Sequence, residues 1–307
     1  MILLSNGEGA AGVATTARLL AAGASGLDAI EAGIRLVEAN ATVRSVGPGS
    51  WPNILGALQL DAAVMDGNRR RSGAVGAIEG FAHPISIARA VFDRLPHEIL
   101  VGEGAARFAR EIGAEPHIAP NDAVVDAEWR KILGRMGLTP EALLADPERP
   151  LADLARAAMD PELIRDTTVY LVSDAAGAIA SGGSTSGWAW KYPGRLGDTP
   201  IIGAGSYADS RYGAAACTHT GEMTIRAGTA RAIVLYLKLG HSLDDAVGAA
   251  IGDLADLAGG QLGTVVVHAI DREGNHRVAC HRPTEPIFYW LWTPDMAAPE
   301  RRTAETA

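Results

Sequence analysis

The sequence has little cysteine and no excess of basic residues. Cys217 and Cys280 are its only cysteines, which is too few for a disulfide framework. Its eight histidines show no zinc-ligand spacing, so we expect no catalytic metal and no other cofactor. Acidic residues outnumber basic ones by 36 to 27, and the resulting net charge of -9 argues against a nucleic acid partner.

Long apolar runs are also absent. No stretch approaches the roughly 20 apolar residues that span a bilayer, and the first residues, MILLSNGEGA, lack the basic start of a secretory signal. We therefore expect a cytoplasmic protein with no membrane partner. A hydrophobic content of 48% is sufficient for a large core, so residues 1–307 are expected to form a single domain.

The amino-terminal part predicts a sheet with helices packed on it. The opening MILLS is typical of a strand, and residues 8–22 predict an Ala-rich helix. Ser25 is a candidate cap for a second helix, whose apolar stripe consists of Leu27, Ile30, Ile34 and Val37. Alternating and helical patterns then predict two strands and two helices, within residues 57–67, 72–80, 83–95 and 104–113.

Residues 114–166 have a different character. They are polar pieces of weak periodicity interrupted by prolines, which we interpret as a variable linker or processing segment. Strands return after Asp166, helices are expected at about 228–239 and 243–257, and a final pair of strands flanks the turn REGN before the closing IFYWLW.

A glycine motif near the start admits two interpretations. GEGAAG, residues 7–12, matches the dinucleotide-binding pattern G-x-G-x-x-G and follows a strand. That pattern also needs an acidic residue at the end of a second strand, about 20 residues further on. The nearest acids, Asp28 and Glu31, fall on a predicted helix instead. A tight turn of small residues is therefore favoured over the alternative, an NAD(P)-binding oxidoreductase.

Two threonines are expected to meet at the start of a hairpin. DAAG, residues 174–177, is typical of a three-residue hairpin loop with Gly177 in the left-handed conformation. This turn pairs Asp174 with Ala178, and counting outward places Thr167 opposite Thr185. No histidine accompanies the pair. A threonine nucleophile without histidine uses its own α-amine, which requires a cut directly before it. The alternative is an ordinary cross-strand threonine pair.

Two further clusters follow this hairpin. Arg195 and Asp198 lie in a Gly- and Pro-rich loop, where a guanidinium and a carboxylate suit the two charges of an α-amino acid. Thr218 is followed by small and polar residues, so its hydroxyl and the next backbone N–H could face a developing oxyanion. Taken alone, the first cluster is better explained as a surface ion pair and the second as a turn, but their proximity in the sequence favours one site.

At these residues the sequence resembles the N-terminal-nucleophile amidohydrolases of the plant-type asparaginase, isoaspartyl peptidase and glycosylasparaginase family. The similarity runs through GLDAIEAG, LDAAVMDG, LVGEGAARFAREIG, GRLGDTPIIGAGSYAD and CTHTGE. It implies an α+β fold, a four-layer αββα sandwich, and a precursor that cuts itself between Asp166 and Thr167. Residues 1–166 would become the α subunit and residues 167–307 the β subunit, and two processed αβ units would pair as a homodimer.

The resemblance also implies catalytic roles. Thr167 would be the nucleophile, with its freed α-amine as the base, and Thr185 would assist both autocleavage and hydrolysis. Thr218 and the backbone N–H of His219 would form the oxyanion hole, and the carbonyl of Gly221 would help to fix the amine.

Substrate recognition follows from the same resemblance. Arg195 and Asp198 would hold the α-carboxylate and α-amino groups of an L-aspartyl unit. The substrate would be a small β-aspartyl amide: L-asparagine, an isoaspartyl dipeptide or a glycosylated asparagine. The loop from Ser45 to Ile54 resembles a segment that wraps a structural sodium ion in some members.

The sequence differs from the family at several positions. Arg165 precedes the Asp-Thr pair where the family often has His or Gly, Val169 replaces a usual glycine, and His219 replaces another. A Cβ at residue 169 restricts the precursor backbone, so a family member that does not process and acts as a binding protein is a further alternative. Trp188 and Trp190 near the binding loop suggest an unusual leaving group.

Overall fold

The computed structural model describes residues 1–117, 122–159 and 167–304, and these form a mixed α/β fold. The strands are β1 (Ile2–Asn6), β2 (Leu60–Asp66), β3 (Arg71–Ile78), β4 (Ile99–Val101), β5 (Thr168–Ser173), β6 (Ile179–Thr185), β7 (Ser206–Asp209), β8 (Gly213–His219), β9 (Val265–Asp271), β10 (His276–His281), β11 (Phe288–Trp292) and β12 (Glu300–Thr303). Arg165 and Asp166, and with them the expected cleavage point, lie outside the described residues.

The strands form two sheets. The larger has the order β12-β11-β1-β5-β6-β2-β3-β4 and the smaller the order β10-β9-β8-β7. Neighbours are antiparallel except for β3 and β4, which run parallel. Strands β1, β5, β6 and β2 of the larger sheet contact β7, β8 and β9 of the smaller one, so the two sheets pack against each other.

Helices cover the outer faces of both sheets. The helices are α1 (Val13–Ala21), α2 (Gly26–Glu38), α3 (Pro84–Arg94), α4 (Gly102–Glu111), α5 (Ala123–Arg135), α6 (Pro140–Leu144), α7 (Ala152–Ala158), α8 (Gly221–Ala227), α9 (Thr229–Lys238) and α10 (Leu243–Ala255). Helices α1 to α4 contact the larger sheet or each other, and α9 and α10 contact the smaller sheet. The expected cap of α2 is confirmed, since the N–H of Asp28 donates to Ser25 Oγ at 3.3 Å.

The central strands are buried on both faces. Leu4, Val169 and Leu171 belong to the apolar layer between the sheets, whereas Leu3 and Val172 belong to the layer beneath helices α1 to α4. Neighbouring residues in these strands therefore face different apolar layers, which explains their nearly continuous hydrophobic sequence. This burial holds β5 and β6 firmly, and these strands carry the threonine hairpin.

The segment expected to be a linker contains three helices in its described part. Helices α5 to α7 form their own apolar cluster with Ile54 and Trp190. Trp129 anchors it, because its ring is 6% exposed and its indole N–H donates to the carbonyl of Ile54 at 2.9 Å. Residues 123–158 are thus packed onto the loop that begins at Ser45.

The glycine motif serves packing. The expected helix over residues 8–22 is divided into a 3-10 turn, Gly7–Ala11, and α1. A Cβ on Gly12 would lie 2.1 Å from the carbonyl oxygen of Gly33 in α2, so only glycine permits this approach. Strand β1 is flanked by β11 and β5, both antiparallel, whereas a dinucleotide fold needs a parallel βαβ unit.

Within the described ranges, no helix is long and apolar enough to cross a membrane.

Candidate active site

The hairpin of β5 and β6 has the predicted turn and register. Gly177 has a φ of +75°, and its N–H donates to the carbonyl of Asp174 at 3.0 Å, while the N–H of Asp174 donates to Ala178. Thr168 pairs with Ser184. Continuing this register by one residue places Thr167 opposite Thr185, so the count made from the turn is confirmed.

Asn6 holds the backbone around the candidate nucleophile. Its side-chain amide donates to the carbonyl of Thr167, and its Oδ1 accepts the N–H of Val169 at 3.0 Å. The backbone pairing of β1 with β5 reaches Ser5 opposite Tyr170, so the Asn6 side chain extends this ladder by one step. Sequence reasoning missed Asn6, because nothing near it in the chain indicates a partner 161 residues away.

Thr185 is fixed in a buried turn. It is 2% exposed, and its Oγ1 accepts the N–H of Gly187 at 2.9 Å. The carbonyl of Ser45 lies 3.5 Å from the same oxygen and accepts the N–H of Ser186 at 2.7 Å. These contacts fix the direction of the Thr185 hydroxyl at the end of β6, beside Thr167.

Arg195 lies in the loop after β6 and is positioned by two neighbours. Its guanidinium makes a bidentate ion pair with Glu222, with N–O distances of 2.8 Å. It also lies over the ring of Trp188, 4.4 Å from the centroid. A planar cation stacked on an aromatic ring is rotationally restricted. Arg195, the predicted binding group for the substrate carboxylate, is therefore held in place, and its guanidinium pairs with the carboxylate of Glu222.

Asp198 is a buried carboxyl next to Gly221. It is 4% exposed, and its Oδ2 accepts the hydroxyl of Thr224 at 2.6 Å. Burial raises the pKa of Asp198 to about 6, although this hydrogen bond and the charge of Arg195 act in the opposite direction. A Cβ on Gly221 would lie 2.9 Å from Asp198 Oδ1. Asp198, the predicted binding group for the substrate ammonium, thus lies next to Gly221.

Thr218 and His219 end strand β8. Thr218 is 1% exposed, and its Oγ1 lies 2.9 Å from His219 Nδ1. His219 has a φ of +80°, a left-handed conformation that costs a side chain with a Cβ about 1 to 2 kcal/mol. This geometry explains why glycine is usual at this position in the family that the sequence resembles.

Lys191 is a second residue that sequence reasoning missed. It is 1% exposed, and its ammonium donates to the carbonyls of Ser186 at 2.8 Å and Gln59 at 3.0 Å. Burial lowers the pKa of Lys191 to about 8, which the nearby carboxylate of Asp61 partly counteracts. A Cβ on Gly187 would touch both Arg195 and Lys191. Lys191 therefore supports the turn after Thr185 from below.

The loop from Ser45 to Ile54 is held by protein hydrogen bonds. The carbonyls of six of its residues accept protein donors: Ser45, Gly47, Gly49, Pro52, Asn53 and Ile54. Carbonyl oxygens are also suitable ligands for sodium, and each keeps a second lone pair after accepting one hydrogen bond, so these hydrogen bonds do not exclude an ion. The described residues contain no group of three or more His, Cys, Asp or Glu side chains able to hold a metal ion. Bound sodium stays a prediction.

The chain is similar in sequence to known proteins. A family model described as Asparaginase matches residues 10–292. The isoaspartyl peptidase/L-asparaginase of Bos taurus is 34% identical over 250 residues, 81% of this chain and 76% of that protein. The plant-type L-asparaginase of Pyrococcus abyssi is 35% identical over 279 residues, 90% and 86% of the two chains. An N(4)-(beta-N-acetylglucosaminyl)-L-asparaginase of Elizabethkingia miricola is 36% identical over 225 residues, 73% and 60%.

Proposed function

Because the chain belongs to the asparaginase family of N-terminal-nucleophile hydrolases, we propose that it is an autocleaving threonine hydrolase of β-aspartyl amides. The hairpin register that sets Thr167 opposite Thr185 is the observation that carries this proposal. The buried Asp198, the stacked Arg195 and the strand end at Thr218 support the same reading.

The proposed reaction uses groups of this chain alone. The chain first cuts itself between Asp166 and Thr167, which frees the α-amine of Thr167. That amine accepts the proton of the Thr167 hydroxyl while the hydroxyl oxygen attacks the β-carbonyl of the substrate. The N–H of His219 and the hydroxyl of Thr218 stabilise the negative oxygen. The α-amine of Thr167 then passes the proton to the nitrogen of the scissile amide, which leaves as ammonia or an amine. Water hydrolyses the remaining β-aspartyl ester of Thr167 to release L-aspartate.

Arg195 and Asp198 would recognise the aspartyl part of the substrate. Arg195 would exchange its pairing with Glu222 for the α-carboxylate, and the charged form of Asp198 would accept the α-ammonium. Asparagine, isoaspartyl dipeptides and N4-glycosylated asparagine share this part and differ beyond the scissile amide. The names of the three relatives cover the same three substrate types.

The finer features of the family extend the proposal. Helices on the outer faces of two stacked sheets support a four-layer αββα sandwich. We further propose a homodimer of processed αβ units and a structural sodium ion at residues 45–54, which metal analysis of the purified protein tests. Cys217 and Cys280 are both free thiols, which agrees with a cytoplasmic location.

The test is the intact mass and amino-terminal sequence of the purified wild type beside Thr167→Ala. We expect the wild type to yield a fragment beginning Thr-Thr-Val-Tyr and Thr167→Ala to remain whole. Thr168→Ala is the matched control, because it removes the next hydroxyl along the same strand and should still be cut. If all three chains stay whole after long incubation, autocleavage is excluded and the alternative of a non-processing binding protein replaces the proposal.

A further inference from the structure

A cavity of about 240 Å³ opens beside the candidate oxyanion hole. Asn6, Thr218 and His219 are among its lining residues, and Asn6 bonds directly to Thr167. Arg195 and Asp198, which would hold the aspartyl part, are not among its lining residues. The cavity therefore approaches the reacting carbonyl from the side where the leaving group of a substrate must lie.

Three charged side chains also line this cavity. Glu8 and Glu285 contribute carboxylates and Arg301 a guanidinium. Glu8 accepts a hydrogen bond from Ser45 Oγ at 3.1 Å, and Arg301 lies over the ring of Phe288, 3.7 Å from its centroid. Arg301 belongs to β12, beyond the residues 10–292 that the family model matches. The charge of the cavity is thus set partly by a strand that lies outside that match.

A buried histidine also lines the cavity. His268 is 1% exposed and pairs with Ala216 in the sheet, whose backbone hydrogen-bonds to its imidazole. Burial lowers the pKa of His268 to about 3, so its imidazole is neutral and offers one donor and one acceptor. A bound polar leaving group would give the second of these groups a partner.

We propose, building on the proposed hydrolysis of β-aspartyl amides, that this cavity selects a basic amino acid as the leaving group. One cationic side chain between Glu8 and Glu285, and one α-carboxylate at Arg301, match the two carboxylates and one guanidinium of the lining. The preferred substrate class is then a β-aspartyl dipeptide that ends in lysine or arginine. Ammonia, the leaving group of asparagine, uses none of these contacts.

Three dipeptides that differ in the charge of the leaving side chain test this specificity on the processed wild-type enzyme. They are β-aspartyl-lysine, β-aspartyl-norleucine, which lacks only the side-chain ammonium, and β-aspartyl-glutamate, and L-aspartate release measures kcat/KM for each. A partly exposed ion pair predicts a preference of up to about fivefold for lysine over norleucine. Glutamate should be the poorest of the three, and the preference should shrink as salt is added.

Two variants locate the effect. Glu8→Gln and Glu285→Gln should each reduce the ratio of kcat/KM for lysine over norleucine toward one. Glu273→Gln is the matched control, because Glu273 is exposed, pairs with Arg272 and does not line the cavity, so the ratio should persist.

Hydrolysis of asparagine by the same preparation separates this inference from the proposed function. If asparagine is hydrolysed but lysine is no better than norleucine, the leaving-group assignment is wrong and the hydrolase remains. If processed enzyme hydrolyses no β-aspartyl compound, both proposals fail.

Discussion

Replacing Asp198 by asparagine should separate binding from stability. The carboxyl is buried, and its pKa rises from an ordinary 3.8 to about 6. At roughly 1.4 kcal/mol per pH unit, this difference corresponds to about 3 kcal/mol of folding free energy lost when the group ionises. The contribution of the neutral carboxyl to the free energy of unfolding is fully present below pH 3.8 and is lost as the pH rises through about 6. Above that pH the folded protein bears the cost of a buried charge that Thr224 and Arg195 compensate only in part, and that the substrate ammonium would compensate further.

Asp198→Asn should therefore be more stable than the wild type at neutral pH and equally stable in acid. For a chain of 307 residues, about 3 kcal/mol corresponds to roughly 5 °C in Tm. Thermal unfolding of both proteins at about pH 4 and about pH 8 measures the difference. The comparison is made in a Thr167→Ala background, so that cleavage does not complicate the transitions. Catalysis changes in the opposite direction. In a protein that keeps Thr167, Asp198→Asn should lower kcat/KM for asparagine about 100-fold or more.

Two outcomes would refute this reasoning. If Asp198→Asn is several degrees less stable than its reference at about pH 8, the hydrogen bond from Thr224 outweighs the burial cost and the carboxylate is a structural group. If the variant keeps its kcat/KM, Asp198 does not read the substrate ammonium. In the wild type, kcat/KM should also fall as the pH drops through about 6, since the protonated carboxyl no longer attracts a cation.

Three further predictions concern single side chains. Arg195→Ala should lower kcat/KM by about 100-fold for asparagine and β-aspartyl dipeptides alike; unequal losses in a substrate panel would remove it from the aspartyl clamp. His219→Gly should raise the free energy of unfolding by about 1 kcal/mol by relieving the left-handed backbone while keeping the oxyanion N–H; a large fall in kcat would instead implicate the imidazole. Asn6→Leu should lower the free energy of unfolding by about 2 to 4 kcal/mol, because two buried backbone groups lose their partner; urea unfolding that leaves it unchanged would show that the clamp is replaceable.

The hairpin could be predicted from the sequence because its determinants are local. Asp174 and Gly177 fix the turn within four residues, and the period of two in a strand carries the register outward to Thr167 and Thr185. The cap of α2 at Ser25 depends on equally short-range contacts. The strands buried on both faces were recognisable from apolar runs, but the order in which they pair was not, since pairing depends on residues far apart in the chain.

The supports of the site could not be predicted for the same reason. Asn6 acts on Thr167 across 161 residues, and Lys191 reaches Gln59 across 132. An asparagine at a strand end and a lysine in a polar loop are more often solvated, so neither residue type indicates its role. In the fold, both reach backbone carbonyls that the sheets leave without a ladder partner.

The helices in residues 123–158 show how weak periodicity misleads. Helices α6 and α7 are only five and seven residues long, too short for an amphipathic pattern to emerge above the surrounding prolines. Their stability comes from one anchor, Trp129, which packs on Ile54 and Trp190. Since Ile54 bonds to the backbone of Lys191, this helical cluster supports the turn after Thr185. A segment whose sequence is typical of a spacer thus contributes to the precision of the site.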